Sequence, residues 1–175
     1  MQKKSFIKLT LIAIGHAVIG NVLALIVTIS LAGILNNDFL YVLAAFCAIT
    51  LYFVFMYSTA FKDGEHERKL VIRKIIENPT PNKWIVIGVI VWLIMSLPCM
   101  ALIFMPEPPY LLLFRFVLAP SMCALSLLFG LEKSPVWASF VFMGIYAVTP
   151  VVCRLGHYFA YYDKMTLESL MYKKK

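Results

Sequence analysis

Residues 84–105 read WIVIGVIVWLIMSLPCMALIFM, a run without one charged side chain. Crossing a bilayer as an α-helix takes about 20 mostly apolar residues, because every backbone N–H and C=O must be satisfied inside the segment. This run meets that length. Working outward, so do residues 5–35, 38–61, 110–130 and 136–158. The expected fold is an all-α polytopic transmembrane bundle of about five spans, forming a single integral membrane domain over residues 1–175.

Composition agrees. The chain is 62% hydrophobic and 14% charged, whereas soluble domains carry about a quarter charged residues. So much apolar surface cannot be hidden inside one water-facing globule. The first run follows Lys3 and Lys4 and contains Ser30-Leu31-Ala32, which resembles a signal-peptide cleavage site. Its length far exceeds the roughly 7–15 residues of a signal-peptide core, so it is read as a retained helix. The four cysteines (Cys47, Cys99, Cys123, Cys153) lie on different apolar runs, which suits small packing residues rather than a disulfide framework.

The formal charge is +7, but the basic residues flank apolar runs and accompany no nucleic-acid motif. The expected partners are the lipid bilayer and anionic headgroups at the basic flanks, with no nucleic acid. Lys3, Lys4 and Lys8 precede the first span. Lys62, Arg68, Lys69, Arg73, Lys74 and Lys83 occupy the connection between spans two and three. The turns Asn36-Asn37 and Pro106-Glu107-Pro108-Pro109 carry none. Cytoplasmic loops hold the excess of Lys and Arg, so the N-terminus and residues 62–83 are expected inside a multi-pass cell-membrane protein. Five crossings then place the basic tail 159–175, with Lys164 and Lys173-Lys174-Lys175, outside. An even count would remove that conflict, for instance if the segment containing Pro120 were re-entrant.

The connection 62–83 is expected to hold a short amphipathic interfacial helix. Asp63 would cap it and Glu65 and Glu67 would sit in its first turn. Val71, Ile72, Ile75 and Ile76 form its apolar side, and Asn78-Pro79-Thr80-Pro81 its end. His66 among these acids matches no zinc spacing.

Ionisable groups at membrane depth need a partner or a water path. Arg115 either snorkels to the interface or faces the bundle and holds an anionic group. Arg154 and His157 lie one turn apart on a helix. With Arg115 and Glu107 they form a candidate polar cluster able to hold a carboxylate, phosphate or lipid headgroup, the alternative being interface anchoring at helix ends. His16 and Asn21 are candidates for interhelical hydrogen bonds. No Asp or Glu falls in the core of a span, which argues against a carboxylate-type proton pump. Ala13/Ala17, Gly20/Ala24 and Ala44/Ala48 allow close helix approach. Pro98, Pro120 and Pro150 predict kinks. Trp84, Tyr110, Trp137, Tyr158, Tyr161 and Tyr162 predict interfacial belts.

No hydrolase, P-loop, metalloprotease or paired-carboxylate motif is present, so neither enzyme activity nor a cofactor or resident metal is expected. Two functions stand ahead of a third, a membrane enzyme using His157 or His16. One is a membrane-embedded binding or transport-related component for a small solute or lipid. The other is an accessory or scaffold subunit of a larger membrane complex.

Lys62-Asp63-Gly64-Glu65-His66-Glu67-Arg68 follows a span directly. The C-terminal part reads Leu155-Gly156-His157-Tyr158, then Tyr161-Tyr162-Asp163-Lys164, and ends Leu170-Met171-Tyr172-Lys173-Lys174-Lys175. Together these resemble small polytopic membrane proteins of Gram-positive, clostridia-like bacteria, a group with no assigned activity. Here His66-Glu67 interrupts the group's Gly-Glu-Arg run, and His157 replaces a frequent tyrosine. The resemblance implies a bacterial inner-membrane location and nothing about mechanism.

Overall fold

A computed structural model describes residues 5–32, 38–75, 82–104 and 135–162. Among these the chain is entirely helical: α1 (Phe6–Ala32), α2 (Asp38–Ile72), α3 (Lys83–Phe104), α4 (Pro135–Tyr146) and α5 (Thr149–Tyr161). The apolar run 110–130 lies outside the described residues. Two stretches, Phe6–Ala24 and Ser139–Tyr161, are long and apolar enough to cross a membrane, and Lys83–Leu97 is a shorter apolar helix.

Several threonine hydroxyls on these apolar helices bond back to their own backbone. Thr10 Oγ1 donates to Phe6 O at 3.0 Å, Thr50 Oγ1 to Phe46 O at 2.7 Å and Thr59 Oγ1 to Phe55 O at 2.8 Å. Each hydroxyl is satisfied one turn upstream without leaving its helix.

α2 corrects the expectation for residues 62–83. The helix does not stop near Phe61 to begin again as a separate interfacial helix; it is continuous to Ile72. Asp63 is therefore a mid-helix residue and caps nothing. The physical reason is packing: Ala60 is fully buried, and a Cβ on Gly64 would meet Ala160 Cβ at 2.9 Å. A face of small residues thus carries α2 along α5 past the charged stretch. The helix ends at Lys74, whose φ is +56°. Ile75 N–H bonds Leu70 O at 3.0 Å and Lys74 N–H bonds Val71 O at 2.9 Å, the paired bonds of a Schellman cap.

Pairwise contacts fix the helix directions. α1 and α2 are antiparallel, with Gly20 against Tyr52 and Phe55 and His16 stacked near Phe55. α3 and the α4–α5 pair are antiparallel, with Gly88 against Pro150 and Trp92 Nε1 donating to Met143 O at 3.0 Å. α2 and α5 are parallel. Tyr52 OH and Thr149 Oγ1 pair at 3.2 Å, Gly156 lies against Tyr57, and Gly64 against His157 and Ala160. The start of α1, the ends of α2 and α5 and the start of α3 therefore share one end of the bundle. Phe104 and Pro135 lie towards the other.

Pro150 produces a break rather than a bend: α4 ends at Tyr146 and α5 begins at Thr149, because a proline has no N–H to return to Tyr146 O. α3, by contrast, runs through Pro98. Large apolar side chains such as Ile7, Leu11, Phe46, Leu97 and Phe140 are exposed, while Asn21, Ser139, Thr149 and His157 are buried. Cys99 and Cys153 are buried and Cys47 is exposed.

The closest approach tests this packing. A Cβ on Gly156 would lie 2.6 Å from Tyr57 O, whereas one on Gly144 would meet nothing within 4 Å. Gly156→Ala is expected to lower stability by about 1–3 kcal/mol through overpacking. Gly144→Ala is expected to be neutral or stabilising. Thermal unfolding of both purified variants checks the pair.

Candidate functional site

α2 carries Asp63 and Glu67 four residues apart, so both carboxylates project from one helix face. Between them Gly64 lets the α5 backbone come in; any side chain there would strike His157 O, 2.6 Å from the Cβ position. That approach delivers His157. The first turn of α3 supplies Lys83 and Trp84.

The groups meet in a compact cluster. Lys83 Nζ lies 2.5 Å from Asp63 Oδ2 and 2.6 Å from Glu67 Oε1. His157 Nε2 is 2.9 Å from the other Glu67 oxygen, Oε2. Trp84 Nε1 donates to Asp63 Oδ2 at 3.0 Å. The side chains of Asp63, Glu67 and His157 are at most 2% exposed, and Lys83 retains 11%. Lys83 thus forms the edge that reaches solvent.

Burying an ion carries a penalty of several kcal/mol, so such a cluster stands only when charges are paired and hydrogen-bonded. Burial alone would raise the Glu67 carboxyl. Hydrogen bonds from His157 and Lys83, together with their charges, overcome that and hold it at about 2, down from 4.5. Two carboxylates face one ammonium, and the imidazole decides the balance. Neutral His157 leaves one excess negative charge, and protonated His157 leaves none. One ligand atom each from Asp63, Glu67 and His157 lies within 4.8 Å of the others, close enough to hold a metal ion together.

The residues singled out in the sequence are distributed differently. Arg115 and Glu107 lie outside the described residues. Arg154 is exposed while His157 is buried, so the two do not share a working face: α5 turns His157 towards α2 and leaves Arg154 outward. Asn21 does bond between helices. It accepts from Tyr146 OH at 3.1 Å and donates to Met95 Sδ at 3.6 Å. The hydrogen bond of His16 stays within α1, from Nδ1–H to Ile12 O at 2.9 Å. Trp84, expected in an interfacial belt, is fully buried, because its indole N–H serves Asp63. Tyr158 and Tyr162 are exposed at the end of α5.

Asp63 and Glu67 carry the site, although their sequence context suggests a helix N-terminus. The usable signal was Ala60/Gly64 and Gly156/Ala160, two small-xxx-small pairs beside the acids and the histidine. Comparison with protein-family models, curated proteins and solved structures found no match for this chain.

The depressed Glu67 carboxyl sets a pH dependence. Unfolded chain protonates Glu67 near 4.5, and folded chain holds it ionised down to about 2. Its stabilisation is complete above the unfolded value and is lost as pH falls between the two. Glu67→Gln is expected to melt lower than wild type at neutral pH and to show a flatter decline across that acid window. Melting curves from neutral pH to pH 2 measure both.

Proposed function

We propose that this is an integral membrane protein crossing the bilayer four times, through α1, α2, α3 and the α4–α5 pair. On this reading it is a binding or transport-related component that handles a small cation at the Asp63–Glu67–His157–Lys83 cluster. The helix directions support an even number of crossings in place of the five expected. They bring the end of α5 beside the start of α1 and the α2–α3 connection. Every Lys and Arg except Arg115 and Lys133 then falls on one side, which the positive-inside rule makes cytoplasmic. The odd placement of the basic tail disappears. At about 1.5 Å per residue, the 35 residues of α2 run to about 50 Å, well past the ~30 Å hydrocarbon layer. Its last turns emerge on the cytoplasmic side and carry the cluster there.

The observation that carries the functional reading is the buried Asp63–Glu67 pair, closed by groups from two other helices. Ionisable residues buried this fully in protein are costly, and clusters of them are candidates for ion or substrate sites. Carboxylates favour a cation over the phosphate or lipid headgroup that an arginine cluster would hold. The accessory-subunit alternative has less support, because Ala13, Ala17, Gly20 and Ala24 are all buried within the chain's own bundle rather than offered to a partner.

Two measurements test this. A reporter fused after Lys175 and a cysteine-accessibility probe in the connection 73–82 should both report the cytoplasmic side, and opposite sides would overturn the four-crossing topology. Native mass spectra of protein purified in mild detergent should show a small bound cation lost in Asp63→Asn. A stoichiometric protein partner without ligand would favour the accessory subunit instead.

A further inference from the structure

We propose that Asp63, Glu67 and His157 bind one divalent transition-metal ion of the zinc class, for which the Lys83 ammonium is an internal stand-in. This rests on the cation-handling reading above and narrows it to a ligand class.

The donor set points there. Two carboxylate oxygens and one imidazole nitrogen give three protein ligands and leave a fourth position open, the arrangement of exchangeable rather than closed structural zinc sites. Calcium and magnesium favour oxygen-only shells of six or more ligands, so the nitrogen donor selects against them. The ligand atoms already lie within 4.8 Å of one another. Metal–ligand bonds of about 2 Å require them to draw in by about an ångström, within reach of side-chain rotation alone.

The geometry also marks where the ion sits. Lys83 Nζ lies between the carboxylates, 2.5 Å from Asp63 Oδ2 and 2.6 Å from Glu67 Oε1. A positive charge is therefore favourable at that point. Lys83 comes from the first residue of α3 and its side chain is the most exposed of the group, so it can swing to water without moving a helix. The exchange keeps the charge balanced. With the neutral imidazole that a metal requires, a divalent ion in the ammonium's place offsets both carboxylates, and the released ammonium is solvated. His157 Nε2 lies 2.9 Å from Glu67 Oε2, so the nitrogen that would ligate already lies against the carboxylate pair.

The test is a titration of the full purified chain in mild detergent with Co2+, read by its visible absorption, and with Zn2+ by calorimetry. One ion per chain is expected. Lys83→Met removes the competing cation and should tighten binding about tenfold or more, while His157→Asn should weaken it by at least about tenfold. Lys83→Met leaves two buried carboxylates uncompensated and is less stable without metal, so its melting temperature should rise more with Zn2+ than that of wild type. Absence of saturable binding in both wild type and Lys83→Met overturns the proposal, as does unchanged affinity in folded His157→Asn. Should His157→Asn fail to fold, unchanged affinity in Asp63→Asn overturns it equally. If no metal binds but an organic cation is lost from Asp63→Asn in native mass spectra, the metal assignment falls and the cation-handling reading stands.

Discussion

Two helix backbones touch where α2 meets α5, and the rest of the arrangement follows from that contact. Gly156 lets Tyr57 O come within 2.6 Å of where a Cβ would be, and Gly64 does the same for His157 O. The two contacts lie seven residues, about two turns, apart along α2, so they fix both the distance between the helices and their parallel sense. Parallel packing in turn decides which end of the bundle receives His157. A lone glycine contact would allow the helices to splay; two set a line.

The interior then divides by how its polar groups are satisfied. Hydroxyls of Thr10, Thr50 and Thr59 return to their own helices and ask nothing of their neighbours. Asn21–Tyr146 and Tyr52–Thr149 instead bind helices together in mid-bundle, and the rings of Tyr52 and Tyr146 meet edge-on at 4.8 Å. The charged groups are gathered at one end, where Lys83 keeps some contact with water. Charge is thus held where its desolvation is least severe, and neutral hydrogen bonds serve the middle.

Helix positions were legible because apolar runs announce themselves: α1, α3 and the start of α2 fall within a few residues of their expected bounds. The end of α2 was not legible. Lys62 to Lys69 looks like a water-facing connection, and only the partner α5 reveals that Ala60 and Gly64 keep that stretch packed. The site was hidden for the same reason. Glu67 and His157 are 90 residues apart, and composition says nothing about which helices run side by side. An odd crossing count separates His157 from Glu67 across the membrane, and the basic tail 159–175 is the sequence signal against such a count.

Chain order adds a temporal side to the cluster. Asp63, Glu67, Lys83 and Trp84 belong to successive helices α2 and α3, while His157 arrives later in the chain with α5. N-terminal parts of a chain are free to pack before later parts exist. Until then the two carboxylates of α2 have a lysine and an indole from the next helix in the chain within reach. In chain order the ammonium is thus the first countercharge offered to the acids and the imidazole a later one.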